Sequence, residues 1–439
     1  MSHVFPRHTK STLPTVGRGE GVYLIDRQGR YYLDASGGAA VSCLGHSDKD
    51  VVHAITTQLN QVAFAHTGFM TSEPAEQLAA TLTDLAPAGI DRVYFVSGGS
   101  EAMEAALKLA RQYYWERGET ERKHIIARRQ SYHGNTLAAL ATGGNQWRRI
   151  PFEPLLIQTN HISPCYEYRG RGEDESVLDY GQRVANELEQ EIERLGAENV
   201  IAFVAEPVVG ATAGAVPPVK GYFKRIREIC NRYGILLILD EVMCGMGRTG
   251  TLFACEQDGI APDIVAIAKG LGAGYQPIGA MLCTASIYST IEQGSGFFQH
   301  GHTYLGHPTA CAAALAVVNK LQHNDLIARS ARMGEQLRQA LQDAFGEHPY
   351  IGDIRGRGLF LGIELVQERN SKTPFGAEMK INSKIKAAAF EAGLICYPMG
   401  GTVDGVQGDH ILLAPPFIFE DKHIDELIEK LSLAIGRVL

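Results

Sequence analysis

Short apolar segments recur along the chain, and stretches with helical spacing lie between them. The segments rich in Val, Ile and Leu are 92–97, 124–127, 201–205, 235–240, 264–268 and 278–283. Short runs so rich in apolar residues are typical of strands that are buried on both faces. After the first of them, Ala102, Ala105, Ala106 and Leu109 follow helical spacing. The alternation predicts an α/β fold built on a largely parallel sheet between helices.

The two ends of the chain show a different pattern. Residues 21–34 predict a hairpin that turns at Gln28 and Gly29 and belongs to a separate layer. Beyond about residue 320, long amphipathic helices and a few strands predict a smaller α+β domain. The expected organisation is an N-terminal segment joining the small domain (1–55), a large domain (56–320) and a C-terminal small domain (321–439).

Composition and charge favour an enzyme that acts on small molecules. The 439 residues include 49 acidic and 41 basic side chains, for a formal net charge of −8, and no block of Lys or Arg occurs. This balance argues against a nucleic acid or an anionic membrane surface as the main partner. The N-terminus lacks an apolar signal segment, and no apolar run is long enough to span a membrane. We therefore expect a cytoplasmic protein.

The eight cysteines give no sign of a metal centre. They are scattered, with no CxxC pair, so neither a zinc site nor a redox dithiol is predicted. We expect reduced and mostly buried thiols. No metal site is predicted from the sequence.

One segment has the character of an anion-binding turn. The apolar run 92–97 leads directly into Gly98, Gly99 and Ser100 and then into a helical pattern. Backbone N–H groups at such a helix start, with a nearby hydroxyl, are suited to bind phosphate. From these residues alone, Ser100 could equally cap the helix while the two glycines make the turn.

Two charged residues stand where apolar residues are expected. Asp240 ends one apolar strand, and Lys269 ends the next strand along the chain. The carboxyl ends of neighbouring parallel strands meet at a ligand crevice, so both side chains can contact one molecule. An aldehyde cofactor would use both, since a desolvated lysine forms a Schiff base and a carboxylate keeps a pyridine nitrogen protonated. The alternative is a buried salt bridge between Asp240 and Lys269.

A glycine motif in the same region does not predict a nucleotide site. Residues 245–250 fit GxGxxG after a strand. A dinucleotide fingerprint requires a helix that opens at the last glycine and an acidic residue about 20 positions further on. The sequence that follows has neither feature, which argues against a nicotinamide cofactor.

The ordered motifs of the chain resemble the class III aminotransferases, especially the ω-amino acid or amine:pyruvate enzymes. The matching segments are 97–111, 131–134, 205–207, 237–250, 267–280, 300–304, 306–308 and 355–359. The resemblance extends from the hairpin at 21–34 to residues 414–417. It implies fold type I, with a mostly parallel seven-stranded sheet in the large domain, and pyridoxal 5′-phosphate as the cofactor. It also implies a homodimer, or a dimer of dimers, with shared active sites.

The resemblance also implies a role for individual residues. Lys269 is expected to form the Schiff base and then to move the proton, which makes it nucleophile and general base in turn. The other expected cofactor contacts are Asp240 at the ring nitrogen, Val242 under the ring, Tyr132 over it, Gly99 and Ser100 at the phosphate, Thr303 at the phosphate of the other subunit, Glu206 near the ring hydroxyl and His133 as its neighbour. His133 could equally be a structural histidine.

The substrate residues depart from the family pattern. Members that use 2-oxoglutarate generally carry a glutamate that switches an arginine, and this chain has Val209-Gly210-Ala211 and Ile411 at those places. Pyruvate is therefore the favoured acceptor, although Gly405 stands where pyruvate-dependent members place an arginine. Arg148, Arg149 and Gln407 are candidates to hold the substrate carboxylate. Ala39, Ala40 and Val41 replace a bulky tryptophan, which predicts a roomy pocket.

These patterns predict a ping-pong transaminase that moves an amino group from a primary amine or ω-amino acid to a keto acid. A 2-oxoglutarate-dependent transaminase is one alternative. The same fold and lysine also serve an aminomutase, a racemase or a decarboxylase, because function depends on the site rather than on the fold. A third possibility is a binding protein without activity, which would not require Lys269, Asp240, Tyr132 and Thr303 together.

Overall fold

The fold is that of a computed structural model, which describes residues 3–439. Within these residues the strands are β1 (Val16–Glu20), β2 (Tyr23–Asp26), β3 (Tyr31–Asp34), β4 (Ile90–Val96), β5 (His124–Arg128), β6 (Asn160–Ile162), β7 (Val200–Ala205), β8 (Leu236–Asp240), β9 (Ile264–Ile267), β10 (Gly279–Thr284), β11 (Ile351–Arg357), β12 (Phe360–Leu365), β13 (Leu394–Ile395), β14 (Tyr397–Gly400) and β15 (Asp409–Leu413). They form three sheets.

Helices occupy most of the connections between these strands. They are α1 (Gly37–Ala40), α2 (Lys49–Gln61), α3 (Glu73–Leu85), α4 (Gly99–Glu116), α5 (Leu137–Thr142), α6 (Gln146–Arg149), α7 (Glu167–Gly170), α8 (Val177–Leu195), α9 (Tyr222–Tyr233), α10 (Ala285–Gln293), α11 (Pro308–His323), α12 (Leu326–Phe345), α13 (Ile381–Glu391) and α14 (Asp421–Gly436). Short 3₁₀ helices lie at Ile150–Leu155, Ala197–Asn199, Ala254–Asp258, Lys269–Leu271 and Ala377–Met379.

The central sheet has seven strands in the order β4-β10-β9-β8-β7-β5-β6. Strands β6, β5, β7, β8 and β9 pair in parallel, whereas β10 is antiparallel to both β9 and β4. Because β10 is antiparallel to both of its neighbours, β4 and β9 run in the same direction. The carboxyl ends of β4, β8 and β9 therefore lie at one edge of the sheet. This sheet confirms the predicted α/β fold and its seven, mostly parallel strands.

Both faces of the inner strands β7, β8 and β9 are buried, which explains why Asp240 is the only polar residue within these three strands. In β8, Leu237 and Leu239 pack into one apolar cluster, which includes residues of α8 and α9. Leu236 and Ile238 point to the opposite face and pack with residues of α4. Alternate side chains thus enter two separate cores, as the period of two along a strand requires.

The predicted hairpin at 21–34 is confirmed, and it belongs to a separate sheet. Strands β2 and β3 pair antiparallel, and Gly29 adopts a positive φ of 83° in the turn between them. The Asp26 carboxylate fixes this turn by accepting hydrogen bonds from the backbone N–H groups of Gln28 and Arg30, each at 2.9 Å. Strand β13, from the C-terminal part of the chain, adds in parallel to β3.

The C-terminal part contains the third sheet, which is antiparallel throughout, in the order β11-β12-β15-β14. Residues of α12, α13 and α14 pack with the chain's largest apolar cluster, together with residues of β12 and β15. This arrangement is the expected α+β one. The exact domain bounds, 1–55, 56–320 and 321–439, stay a prediction.

Candidate active site

A cavity of about 500 Å³ opens at the edge of the central sheet where β4, β8 and β9 end. It brings together eight of the nine cofactor-contact residues predicted from the sequence: Gly99, Ser100, Tyr132, His133, Glu206, Asp240, Val242 and Lys269. The ninth, Thr303, is exposed and does not line the cavity of its own chain. Ends of parallel strands beside a helix N-terminus form the usual ligand crevice of α/β sheets.

Asp240 and Lys269 enter the cavity from adjacent strands. Asp240 is the last residue of β8, and Lys269 follows the end of β9 by two residues. Lys269 has a φ of 48°, in the left-handed region that a non-glycine residue rarely adopts, and it opens a short 3₁₀ helix. Such backbone strain is concentrated at functional positions. No ion pair joins these two residues, so the salt-bridge alternative is wrong.

The partner of Asp240 is His133. Its Nδ1 lies 2.9 Å from Oδ2 of Asp240, and Oδ1 accepts a hydrogen bond from the backbone N–H of Val242 at 3.0 Å. The two side chains of this pair are almost fully buried. Because an ionised carboxylate only accepts, His133 donates from Nδ1. The contact fixes both the position and the orientation of the Asp240 carboxylate.

Glu206 joins two loops at the wall of the cavity. Its Oε1 accepts a hydrogen bond from the backbone N–H of Tyr132 at 2.9 Å, and its Oε2 accepts one from Gly210 at 2.6 Å. Burial raises the pKa of this carboxyl, while the nearby His133 opposes the shift. Glu206 therefore holds the backbone that carries Tyr132 and His133.

Lys269 has the electrostatic surroundings of a reactive amine. Burial lowers the pKa of its ammonium group to about 8, and the nearby Asp240 acts in the opposite direction. Removing a cation from water disfavours its charged form, so a larger fraction of Lys269 is neutral near neutral pH than in an exposed lysine. The neutral form is the one that attacks an aldehyde.

The start of α4 supplies backbone donors to the cavity. Its N-cap is Gly98, and no side chain caps the helix. The Ser100 hydroxyl instead accepts a hydrogen bond from the backbone N–H of Asn135 at 3.0 Å. The alternative in which Ser100 only caps the helix is thus wrong. Open N–H groups at an 18-residue helix attract an anion, which its macrodipole also favours.

At the N-terminus of α4, the position of Gly99 requires a glycine. A Cβ on Gly99 would lie 2.6 Å from Cγ1 of Val242, which is closer than carbon atoms approach in proteins. Because of this close contact, the start of α4 and Val242 line the same cavity. Gly99 is therefore needed for its small size and not for its backbone freedom.

The other side of the cavity carries residues that local sequence patterns did not reveal. Arg7, from the N-terminal segment, and Tyr397, from β14, line the cavity beside Arg148. Arg7 stands in a segment without periodicity, and Tyr397 is far from the motifs in sequence. Only the approach of the N-terminal segment and the third sheet to the central sheet places them here.

Two of the three small residues predicted to line the substrate pocket do line the cavity, whereas two of the three candidate carboxylate ligands do not. Ala39 and Val41 line the cavity, and Ala40 is buried behind it. The Arg149 guanidinium donates to the carbonyl oxygens of Ala141 and Gly143, the latter at 2.8 Å. Gln407 is exposed and outside the lining. Of the three candidates, only Arg148 lines the cavity.

The glycine motif at 245–250 forms a structural loop. Gly247 and Gly250 have positive φ angles of 85° and 96°, and no helix opens at Gly250. The buried Arg248 donates from its Nη1 to the carbonyl oxygens of Leu359, at 3.0 Å, and Pro415, at 2.5 Å. The loop thus ties the end of β8 to the C-terminal part of the chain and offers no dinucleotide site.

The remaining sequence expectations concern cysteines and membrane spans. All eight cysteines are free and buried, as expected. None of the helices within residues 3–439 has the length and apolar character needed to cross a bilayer.

The chain is similar to known proteins over nearly its whole length. The family model described as Aminotransferase class-III matches residues 4–435. An uncharacterized aminotransferase of Schizosaccharomyces pombe is 48% identical over 423 residues, covering 96% of this chain and 92% of its own length. The putrescine–pyruvate aminotransferase of Pseudomonas aeruginosa is 36% identical over 415 residues, covering 94% and 88%. The (S)-enantioselective ω-transaminase from Thermomicrobium roseum has a TM-score of 0.93 at 39% identity, covering 100% of this chain and 96% of that structure.

Proposed function

Because this chain belongs to the class III aminotransferases, we propose that it transfers an amino group from a primary amine or ω-amino acid to pyruvate. The reaction is ping-pong, with pyridoxal 5′-phosphate as the cofactor. The observation that carries this proposal is the convergence of Lys269, Asp240 and the open N-terminus of α4 on one cavity. The relative from Pseudomonas aeruginosa, which is named for putrescine and pyruvate, and the ω-transaminase from Thermomicrobium roseum support this choice.

The cavity fits the cofactor by its chemistry. A phosphate requires backbone donors at a helix N-terminus, a pyridine nitrogen requires a carboxylate, and an aldehyde requires an amine with a lowered pKa. Gly99 and Ser100, Asp240, and Lys269 supply these three groups around one space. When bound, the cofactor supplies an aldehyde that takes up amino groups and a ring that accepts electrons from the substrate carbon.

The residues of the chain then have separate tasks. Lys269 would hold the cofactor through Nζ, and the same atom could remove and return a proton of the substrate. Asp240, oriented by His133, would keep a proton on the ring nitrogen. Val242 and Tyr132 would pack against the ring. Glu206 keeps Tyr132 in place through its backbone.

Pyruvate is proposed as the acceptor because the family's carboxylate switch is missing. Val209 and Gly210 stand at the place of the glutamate, and Ile411 is buried inside β15 at the place of the arginine. This paired loss removes the usual clamp on the α-carboxylate, whose bidentate geometry only arginine supplies well.

We also propose that the active unit is a homodimer. Thr303 is exposed and lies outside the cavity of its own chain. In a two-fold dimer, Thr303 of the partner subunit completes the phosphate site, so each site depends on both chains.

The test is spectroscopic and separates the half-reactions. The purified protein is loaded with pyridoxal 5′-phosphate and freed of excess, and its visible band is followed while 4-aminobutyrate or putrescine is added. Pyruvate and 2-oxoglutarate are then added separately, and alanine and glutamate are quantified. Bleaching by the amine and recovery with pyruvate, with stoichiometric alanine, is the expected result. Recovery only with 2-oxoglutarate overturns the choice of acceptor.

Other outcomes point to the alternative reactions. An isomerised, racemised or decarboxylated product without alanine identifies an aminomutase, racemase or decarboxylase. The Lys269→Ala variant serves as the control, because it keeps the cradle at α4 but lacks the reactive amine. A wild-type protein that shows no visible band after loading contradicts the role of Lys269.

A further inference from the structure

The cavity contains a cation that has no acidic partner among the described residues. Arg148 lines it, yet within residues 3–439 its side chain makes no ion pair and no hydrogen bond. Its Nε is buried without a hydrogen-bond partner. Arg148 as a whole is half-buried, but most buried donors in proteins have a hydrogen-bond partner, and its Nε has none. Such a group is expected to meet its partner in a ligand.

Two aromatic rings hold this guanidinium in place. Its Cζ lies 4.7 Å from the centroid of the Tyr132 ring and 5.4 Å from that of Trp147. Stacking on aromatic faces attracts the cation and restricts its rotation, while the N–H edges remain free to donate. Tyr132 is also the residue expected over the cofactor ring, so Arg148 lies next to the expected position of the ring.

The acids of the cavity are already used elsewhere. Asp240 pairs with His133, and both oxygens of Glu206 accept backbone hydrogen bonds. Arg7, which also lines the cavity, is a second cation and cannot neutralise Arg148. Burial lowers the pKa of Arg148, and Arg7 adds to that shift. Among the described residues, neither acid of the cavity forms an ion pair with Arg148, although Glu206 is close enough to act on its pKa.

From these contacts we propose that Arg148, with Arg7 lining the same cavity, is the receptor for a substrate carboxylate. The ligand class is a short monocarboxylate: the keto-acid acceptor, an ω-amino-acid donor, or both in turn. This inference rests on the proposed function and names the group that replaces the family's missing arginine at Ile411 and Gly405. Arginine is suited to this role because its planar fork donates two parallel hydrogen bonds to one carboxylate.

The first test compares half-reactions of Arg148→Gln, Arg148→Lys and wild type. The donors 4-aminobutyrate and butylamine differ only in the carboxylate. We expect Arg148→Gln to raise the KM for pyruvate about 10- to 100-fold, the range of a lost charged hydrogen bond. The half-reaction with butylamine should stay within about twofold. Arg148→Lys should recover part of the loss, because it keeps the charge but not the fork.

Arg149→Gln is the matched control. It removes the same charge from the adjacent residue, but that guanidinium is bound to the carbonyls of Ala141 and Gly143 and does not line the cavity. Its KM for pyruvate should equal that of wild type. The melting temperature and the visible band of each variant show whether the fold and the cofactor site are intact.

A binding measurement provides a readout that does not depend on turnover. Propionate is an unreactive monocarboxylate, and its binding to the cofactor-loaded protein can be measured by calorimetry. Binding should be lost in Arg148→Gln and kept in Arg149→Gln. If the wild-type protein proves not to be a transaminase, this titration still decides whether Arg148 binds carboxylates.

The KM values and the binding of propionate together decide the role of Arg148. A rise in KM for pyruvate assigns Arg148 to the acceptor, and a rise for 4-aminobutyrate but not for butylamine assigns it to the donor. Both results support the proposal. Unchanged values together with retained propionate binding overturn it. An equal loss with butylamine also overturns it, because it shows that Arg148 supports the cofactor site or the fold.

Discussion

His133 and Asp240 form a buried pair at the centre of the site, with Nδ1 of the histidine 2.9 Å from Oδ2 of the aspartate. The histidine comes from the loop after β5 and the aspartate from the end of β8, so the pair joins two segments that are far apart in sequence. Among the described residues, the only other hydrogen-bond donor to this carboxylate is the backbone N–H of Val242. Its orientation therefore depends on His133.

The first prediction concerns this pair. Replacing His133 by alanine leaves one oxygen of Asp240 buried without a donor, which should cost about 1.5–3 kcal/mol of stability and lower kcat about tenfold or more. His133→Asn is the matched control, because its amide nitrogen can donate from nearly the same position as Nδ1. Thermal unfolding and single-turnover rates measure both effects. Equal behaviour of the two variants would contradict the orienting role.

The second prediction is a pH dependence. Since burial lowers the pKa of Lys269 to about 8, its reactive neutral form should increase as the pH rises toward 8 and then level off. The rate at which cofactor-free enzyme takes up pyridoxal 5′-phosphate should therefore fall about tenfold per pH unit below that value. Stopped-flow absorbance measurements from about pH 6 to about pH 10 give the profile of this rate against pH. A midpoint near that of an exposed lysine would count against the environment described here.

The third prediction tests the contact between Gly99 and Val242. A Cβ on Gly99 would lie 2.6 Å from Cγ1 of Val242, so Gly99→Ala should displace the start of α4 and weaken cofactor binding by about tenfold or more. The double variant Gly99→Ala/Val242→Ala removes the clashing atoms. Equilibrium dialysis of the cofactor should then show that the two changes are not additive, with the double variant binding better than the product of the single effects predicts. Strict additivity would mean that the contact has no energetic consequence.

The fourth prediction concerns pocket size. Ala39 is a small residue at the cavity wall, and it is only partly buried, so a larger side chain there can extend into the substrate space. Ala39→Trp should reduce kcat/KM for 1-phenylethylamine about tenfold or more and change that for 4-aminobutyrate by less than about threefold. Steady-state assays of the two amines, with pyruvate as the acceptor, measure both kcat/KM values. Parallel losses for the two amines would show that Ala39 does not set the size limit.

The fifth prediction concerns the proposed dimer. Lys269→Ala and Thr303→Ala should each have little activity alone. Mixed after unfolding and refolding, they should form dimers in which one of the two sites has both an intact lysine and an intact threonine from the other chain. Random pairing then restores about a quarter of the wild-type sites. Activity of the refolded mixture, with each variant refolded alone as the control, provides the measurement. No recovery would place Thr303 outside the shared site.

Much of the fold was determined by the sequence pattern itself. The inner strands β7, β8 and β9 are buried on both faces, so they are rich in apolar residues, and that signal is local. The hairpin at 21–34 was predictable because its turn depends on Gly29 and on the short-range acceptor Asp26. The motifs at the strand ends located Asp240 and Lys269, since charged residues stand out at the end of apolar runs.

Other parts of the site were decided only by the tertiary structure. The sequence left open whether Asp240 would pair with Lys269, and the fold instead brings His133 to it across the loop after β5. Arg148 and Arg149 are neighbours in the sequence with the same chemistry, yet one lines the cavity and the other binds backbone carbonyls. Arg7 carries no local signal of any kind. Strands and turns follow from interactions between residues close in the chain, whereas the partner of each charged group depends on which distant segments the packed core brings together.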